Sequence, residues 1–328
     1  MYDLEEEKLV KEIKDRGSKR VLIQLPEGLK GEGFRLSKLV ENRTTANVFI
    51  SADPCYGACD IAVDEANNLG VDLLVHYGHT PFINQTSIPV MYLYAPERIS
   101  VMEVVKKAIP ILSDMMRIGL ATTIQHVHEL ENVKELLEKS GKTVLIGEHE
   151  TSSKMKGQIL GCDYSTAKNI ANTVDGYLFI GGGNFHPLGL AMETGKKVIV
   201  ADPYKNEVRD MIELNRKTYR QRWMAIERAR GARRFGVIVG LKPGQRKIDN
   251  ALKIREQLER IGKETVLLAA RELNLMNLLN FQDLEAFVVT ACPRLAIDDF
   301  QKFSKPVLTE REIAVMIGDE PWGEYVKE

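Results

Sequence analysis

The chain has 328 residues, 44% hydrophobic and 28% charged, enough to bury a sizeable core without covalent staples. A formal net charge of −1 and a pI near 6.6 exclude a global polyanion-binding signature. No apolar run reaches the ~18–20 residues that span a bilayer, and the acidic start Met1-Tyr2-Asp3-Leu4-Glu5-Glu6-Glu7 has no basic or apolar leader region, so a cytoplasmic protein is expected. Four cysteines in a chain of this length, read for a reducing compartment, argue for metal binding or catalysis rather than disulfides.

In chain order, Lys19–Leu25 is a buried strand that runs into Leu25-Pro26-Glu27-Gly28-Leu29, and Phe34–Asn42 shows helical apolar spacing. The run Asn47–Ile50 leads into the loop Ser51–Asp60, which carries Cys55 and Cys59. Strands follow at Val71–Val75, ending at His76-Tyr77-Gly78-His79, and at Ile88–Tyr92. The next helix is Glu129–Ser140, then the strand Lys142–Gly147 and the short run Gln158–Gly161 ahead of Cys162. Val174–Ile180 ends on Gly181-Gly182-Gly183, and Lys196–Val200 closes this second group. Arg216–Arg234 is locally basic, and at helical spacing such a run reads as a solvated face, with docking of an acidic protein surface as the alternative. Arg234–Gly240, the helix Ile248–Ile261, Leu284–Val289 ahead of Cys292, and Ser304–Leu308 complete the pattern.

Three trios emerge from this list. Lys19–Leu25, Lys142–Gly147 and Arg234–Gly240 match as basic residues feeding apolar runs. Val71–Val75, Val174–Ile180 and Leu284–Val289 match as strands with an acid at the entrance, spaced a little over 100 residues apart. Ile88–Tyr92, Lys196–Val200 and Ser304–Leu308 match as a last strand. Strands alternating with helices imply parallel βαβ units. The expected fold class is α/β, with three repeated small parallel-sheet domains, 1–100, 101–204 and 205–328, around a pseudo-threefold centre; chance recurrence of generic α/β patterning is the alternative.

Each unit places a thiol after a strand, where ligands bind in open parallel sheets. The spacing lacks the two close pairs of a zinc site, and thiolate-only ligation otherwise suits an iron–sulfur cluster. Three thiolates on a four-iron cluster would leave one iron open to substrate. The C-x₃-C-x₂-C radical motif is absent, because no cysteine lies between Cys59 and Cys162.

Tyr56-Gly57-Ala58-Cys59, Leu160-Gly161-Cys162 and Ala291-Cys292-Pro293-Arg294 resemble the cysteine motifs of the archaeal diphthamide synthases, the 2-(3-amino-3-carboxypropyl)histidine synthases. Leu25-Pro26-Glu27-Gly28-Leu29 and Gly181-Gly182-Gly183-Asn184-Phe185-His186-Pro187 extend the similarity over essentially the whole chain. The resemblance implies a homodimer with one 4Fe–4S cluster per subunit on Cys59, Cys162 and Cys292, and S-adenosylmethionine as substrate. It further implies reductive cleavage of the Cγ–S bond by way of an external electron donor. The 3-amino-3-carboxypropyl radical then adds to C2 of a histidine of translation elongation factor 2. Cys55 is supernumerary in that motif.

Glu27 and Gly28, Gly181, Gly182 and Gly183, His186 and Arg294 are the candidate contacts to S-adenosylmethionine. The glycines would offer backbone N–H groups to the methionyl carboxylate, Glu27 would take the amine, and Arg294 could pair a carboxylate. Each also has a plain structural reading as a turn or salt bridge, and His76 and His79 could line a pocket or bond locally. Two competing readings stay open: a non-redox cluster enzyme resembling quinolinate synthase, and a zinc-binding scaffold closed by all four cysteines.

Overall fold

The computed structural model describes residues 2–83, 85–148, 155–299 and 303–327. Its first sheet holds β1 (Arg20–Gln24), β2 (Asn47–Ile50), β3 (Leu73–Tyr77) and β4 (Val90–Leu93), in the order β2-β1-β3-β4. The second holds β5 (Arg117–Thr122), β6 (Thr143–Ile146), β7 (Gly176–Ile180), β8 (Lys197–Asp202) and β9 (Glu207–Asp210), in the order β6-β5-β7-β8-β9. The third holds β10 (Arg234–Gly240), β11 (Glu264–Ala270), β12 (Ala286–Val289) and β13 (Val307–Thr309), in the order β11-β10-β12-β13. One topology therefore repeats three times: the first strand of each repeat is flanked by the second and third, with the fourth beyond. The first strand of every repeat pairs parallel with the second and third, and β3 with β4 and β12 with β13 are parallel too.

Burial follows position in the sheet. Every residue of β3, β7 and β12 is buried, as strands covered on both faces require, whereas β2 and β11 at the sheet edges largely alternate. Between first and second strands each repeat carries a helix: Gly33–Arg43, Leu130–Lys139 and Ile248–Arg260. Their buried residues are Gly33, Leu36 and Val40; Leu130, Val133 and Leu137; and Ala251, Ile254 and Leu258. That is the same i, i+3, i+7 stripe each time, with roughly 1.5–3 kcal/mol gained per large apolar side chain removed from water. Among the described residues, no helix is long and apolar enough to cross a membrane.

The acid at each third-strand entrance has a defined job. Asp72 Oδ2 accepts from the Lys19 N–H at 2.8 Å and the Arg20 N–H at 3.3 Å. Asp175 Oδ2 accepts from Met116 N at 2.9 Å and Arg117 N at 2.8 Å. Glu285 Oε2 accepts from the backbone of Arg233 and Arg234. Each carboxylate thus closes the start of the first strand, whose N–H groups would otherwise face water, and so fixes the register of the central pair. The Arg117 backbone and guanidinium hold the Asp175 carboxyl down at about 2.

Three expectations need correction. Lys142–Gly147 is not the counterpart of β1 and β10: it contains β6, the second strand of its repeat, and β5 is the first. The signal in β5 is muted because Ala121 stands where β10 has Ile238, near a glycine, Gly119, that β10 shares as Gly236. A Cβ at Gly119 would lie 2.4 Å from the Tyr177 ring, so the strand needs a gap there. Secondly, Cys59 and Cys162 follow the second strands of their repeats but Cys292 follows a third strand, β12, so the three loops are not equivalent. Thirdly, the basic run is not all solvated. Arg222, on the helix Ile212–Arg230, is 4% exposed and pairs bidentately with fully buried Glu312, both contacts at 2.7 Å.

Contacts divide the chain into two compact units, one of residues 1–159, 165–183 and 200–208, the other of 160–164, 184–199 and 209–328. The first has a core around Leu9, Val21, Ile23, Leu36, Leu73 and Val75; the second around Ile226, Phe235, Val237, Leu258, Val288 and Ile313.

Candidate metal centre and substrate pocket

In the second unit, the Cys162 turn and the Cys292 loop meet at one cavity of about 220 Å³, lined by Gly161, Cys162, Ala291, Pro293 and Arg294 among others. Cys162 is exposed at the tip of a tight turn closed by Leu160 N to Asp163 O at 2.9 Å. Gly161 precedes it because a Cβ there would lie 2.1 Å from the Phe185 ring. Arg294 also meets that ring, its guanidinium stacking 4.3 Å from the centroid. Phe185 therefore wedges between the turn that carries Cys162 and the arginine that follows half-buried Cys292.

Arg294 is 4% exposed and pairs with Asp298, Nη2 donating to Oδ1 at 2.9 Å and Nε lying 2.8 Å from Oδ2. Its Nη1 is buried with no hydrogen-bond partner among the described residues. Leaving a buried charged donor unmet costs on the order of 1–3 kcal/mol, so a partner that the described residues do not supply is implied. The far wall of the cavity includes Tyr325, whose hydroxyl donates to Glu312 at 2.7 Å, and Arg311, which pairs with Glu320 through Nε at 2.7 Å.

In the first unit, Cys55 and Cys59 part company. Cys59 is half-buried, its Sγ set over Gly57, in the middle of the short turn Ala58–Asp60. Cys55 is 3% exposed, and burial together with the Asp60 carboxylate pushes its thiol up to about 12. Without a metal, such a thiol stays protonated. The loop is pinned by Lys30, whose Nζ donates to the carbonyls of Ala52 at 2.9 Å and Asp53 at 2.8 Å. Glu27 in turn holds Lys30 at 2.8 Å, which lowers the Glu27 carboxyl. Glu27 and Gly28 open the turn Glu27–Glu32 just after β1, as expected from the sequence.

The three glycines follow β7. Gly181 and Gly183 have φ of 145° and 69°, which side chains rarely adopt, and the Gly181 N–H donates to Ala201 O at 3.1 Å. A Cβ on Gly182 would lie 2.9 Å from the Tyr204 ring. Tyr204 Oη is 3.0 Å from His126 Nε2, and His126, 1% exposed, leaves Nδ1 buried with no partner among the described residues. Burial holds His126 down at about 4, so its imidazole is neutral. His186 lies in the second unit on the helix Phe185–Thr194, edge-on to Phe185 with centroids 4.9 Å apart.

The geometry thus joins Cys162, the Cys292 loop and Arg294 in one unit, and separately joins the glycine loop with His126 and Tyr204 in the other. Sequence reasoning missed His126, Tyr204, Phe185 as a spacer, and Gln24. His126 sits in Ile124-Gln125-His126-Val127-His128, which reads only as a helix entrance, and Tyr204 has no distinguishing neighbours in sequence. The donor set fits a cluster: three thiols at exposed or half-exposed loop positions, with the fourth cysteine sequestered.

The family model for diphthamide synthesis proteins matches residues 25–326. The 2-(3-amino-3-carboxypropyl)histidine synthase of Pyrococcus horikoshii is 40% identical over 319 residues, covering 97% of this chain and 91% of that protein. Subunit 1 of the synthase of the same name from Schizosaccharomyces pombe is 32% identical over 334 residues, covering 98% of this chain and 75% of that one. Among solved structures, Dph2 from Pyrococcus horikoshii with a 4Fe–4S cluster superposes with a TM-score of 0.91 at 39% identity, over 98% of this chain and 93% of that chain. With a family match across nearly its whole length and relatives of this identity, the chain belongs to the diphthamide synthesis protein family.

Proposed function

We propose that this chain is a 2-(3-amino-3-carboxypropyl)histidine synthase that performs the first step of diphthamide formation on translation elongation factor 2. The observation that carries the reading is the cavity shared by Cys162, the Cys292 loop and Arg294, in a chain 40% identical to a synthase of that name. Cys59, Cys162 and Cys292 are the proposed cluster ligands, with the chain read as the three units 1–100, 101–204 and 205–328. When bound by three thiolates, a 4Fe–4S cluster keeps one iron open and supplies the electron that breaks the Cγ–S bond of S-adenosylmethionine.

The chain's own residues then have to bind and orient. Arg294 is proposed to meet the methionyl carboxylate with Nη1, the one donor that Asp298 leaves over. Phe185 stacks on the guanidinium plane beside the Cys162 turn, which fixes the donor direction. Gly181, Gly182 and Gly183, His186, Glu27 and Gly28 are the further proposed contacts. The bare backbone of the glycine loop suits an anionic or carbonyl oxygen, and neutral His126 braces Tyr204 behind it. The reading also entails an external electron donor, a homodimer and a cytoplasmic setting where the elongation factor works.

The test is anaerobic protein, reduced with dithionite and given S-adenosylmethionine alone. Methylthioadenosine with a homocysteine- or 2-aminobutyrate-type by-product is the expected result. 5′-Deoxyadenosine would refute the cleavage chemistry. Intact S-adenosylmethionine over a full cluster would favour a dehydratase of the quinolinate synthase kind.

A further inference from the structure

The loop that carries Cys59 and the end of β3 bring a second set of soft ligands together within the first unit, none of them one of the three proposed cluster thiols. Cys55 Sγ and one ring nitrogen each of His76 and His79 all lie within 4.8 Å of one another. His76 Nε2 and His79 Nδ1 are 3.0 Å apart. The ring nitrogens and thiolate around a tetrahedral Zn²⁺ sit roughly 3.4–3.6 Å from each other, given bonds of about 2.0–2.1 Å to nitrogen and 2.3 Å to sulfur. Small rotamer changes therefore close the triangle on a cation.

Surrounding groups are set as such a site needs. Gln24 is 2% exposed, and its amide is oriented from both ends: Nε2 donates to Asp60 O at 2.7 Å, and Oε1 accepts from the Ala62 N–H at 3.0 Å. The same Oε1 lies 2.8 Å from His76 Nδ1, so that nitrogen is the one carrying the proton. His76 Nε2 is then the unprotonated nitrogen and accepts from His79 Nδ1 at 3.0 Å, a bond that a cation would replace. A carbonyl oxygen behind the distal ring nitrogen is the usual outer support of a metal-bound imidazole. Tyr92 stands edge-on to His76, centroids 5.5 Å apart, and its buried hydroxyl has no partner among the described residues. Neutral imidazoles, which burial enforces at both histidines, are the ligating form.

We propose that Cys55, His76 and His79 hold a divalent cation of the zinc class, a structural metal that clamps the Cys59 loop to the end of β3. Binding releases the Cys55 thiol proton and leaves a fourth position for water. The proposal needs no cluster chemistry and stands whether or not S-adenosylmethionine is the substrate.

The test uses the full chain with its cluster in place, iron and sulfide counted, exposed to zinc chloride and then desalted. One zinc per chain should be retained, and its X-ray absorption should show one sulfur near 2.3 Å with the remaining neighbours nitrogen or oxygen near 2.0–2.1 Å. Cys55→Ser and His79→Asn should each cut zinc retention by roughly tenfold or more, with iron and sulfide unchanged. No zinc on the unaltered protein would overturn the proposal, and that measurement needs no variant to fold. So would two or more sulfur neighbours, which would put the ion on the cluster thiols, or undiminished zinc in both variants.

Discussion

Two buried polar networks in this protein look alike in residue count and differ in what they leave open. Around Arg222, every nitrogen has a partner: Glu312 takes two contacts, the carbonyls of Ala296 and Val307 take one each at 2.7 and 2.6 Å, and Tyr325 closes Glu312 at 2.7 Å. Burial opposes charge on Glu312, but Arg222 outweighs it and the carboxyl ends below its ordinary value. Around His76 the groups are softer: His76 Nε2 and His79 Nδ1 share one hydrogen bond at 3.0 Å, and a ring nitrogen of each lies with the Cys55 thiol inside 4.8 Å. The first network can only hold its three elements together. The second, with the orphaned Arg294 Nη1 and His126 Nδ1, has capacity to spare for a ligand. In this fold, saturation marks scaffold and leftover valence marks site.

Breaking the saturated network should give the largest loss. Glu312→Ala leaves a guanidinium buried without its counter-charge and is expected to cost about 3–5 kcal/mol of stability, read by urea unfolding. The double variant Arg222→Met, Glu312→Leu should recover most of that loss, since an apolar pair of similar volume avoids both desolvation penalties. A double variant as unstable as the single would mean that the network has a role beyond its own charge balance.

Arg294 is expected to split its effect between stability and binding. Arg294→Gln removes the unmet Nη1 together with the Asp298 pair and the Phe185 stacking, so stability should fall by about 1–3 kcal/mol, less than at Glu312. Michaelis constants for S-adenosylmethionine should rise roughly 10- to 100-fold, the equivalent of one charge-assisted hydrogen bond of about 1.5–3 kcal/mol. A stability loss with unchanged substrate kinetics would move Arg294 to the scaffold class.

Gln24 belongs to the network around His76. Gln24→Leu strands the Ala62 N–H, the Asp60 carbonyl and His76 Nδ1 together, and about 1–3 kcal/mol is expected at neutral pH. Gln24→Glu keeps the acceptor and should retain the histidine tautomer, which nitrogen-resolved NMR of His76 would report. An unchanged tautomer in Gln24→Leu would break the argument for how His76 is oriented.

How much of this could be read from the sequence depended on whether the signal was local. The repeated third strands, with Asp72, Asp175 and Glu285 at their entrances, were legible because their apolar runs are continuous and the acid always precedes them. β5 was passed over since its interior is thinned to Gly119 and Ala121 to admit Tyr177, a partner 58 residues away that no local pattern shows. The cysteine loops were legible as strand ends, although not that Cys292 follows a different strand from the others. Arg222 could not be told from its solvated neighbours, because its burial is decided by Glu312, 90 residues on. Arg294 stood out beside its cysteine, while the orphaned nitrogen that makes it informative exists only in three dimensions.

The smallest expected effect tests the exposed counterpart of the buried ion pair. Asp175 meets two backbone N–H groups and the Arg117 side chain in contact with water, and its carboxyl titrates at about 2 against an ordinary 3.8. A depressed carboxyl adds stability at pH values above the unfolded value, and that stability disappears as pH falls through the folded value. The urea midpoints of the unaltered protein and Asp175→Asn should therefore differ by a constant, small gap above about pH 5, small because solvent screens an exposed pair. The gap should shrink to roughly half by pH 3 and keep closing toward pH 2. A gap that stays constant down to pH 3 would show that the clamp acts through backbone geometry that asparagine reproduces or fails to reproduce equally at every pH. In that case the three acids at the strand entrances owe their place to hydrogen-bond shape rather than charge, and Glu285 and Asp72 should tolerate amides as readily.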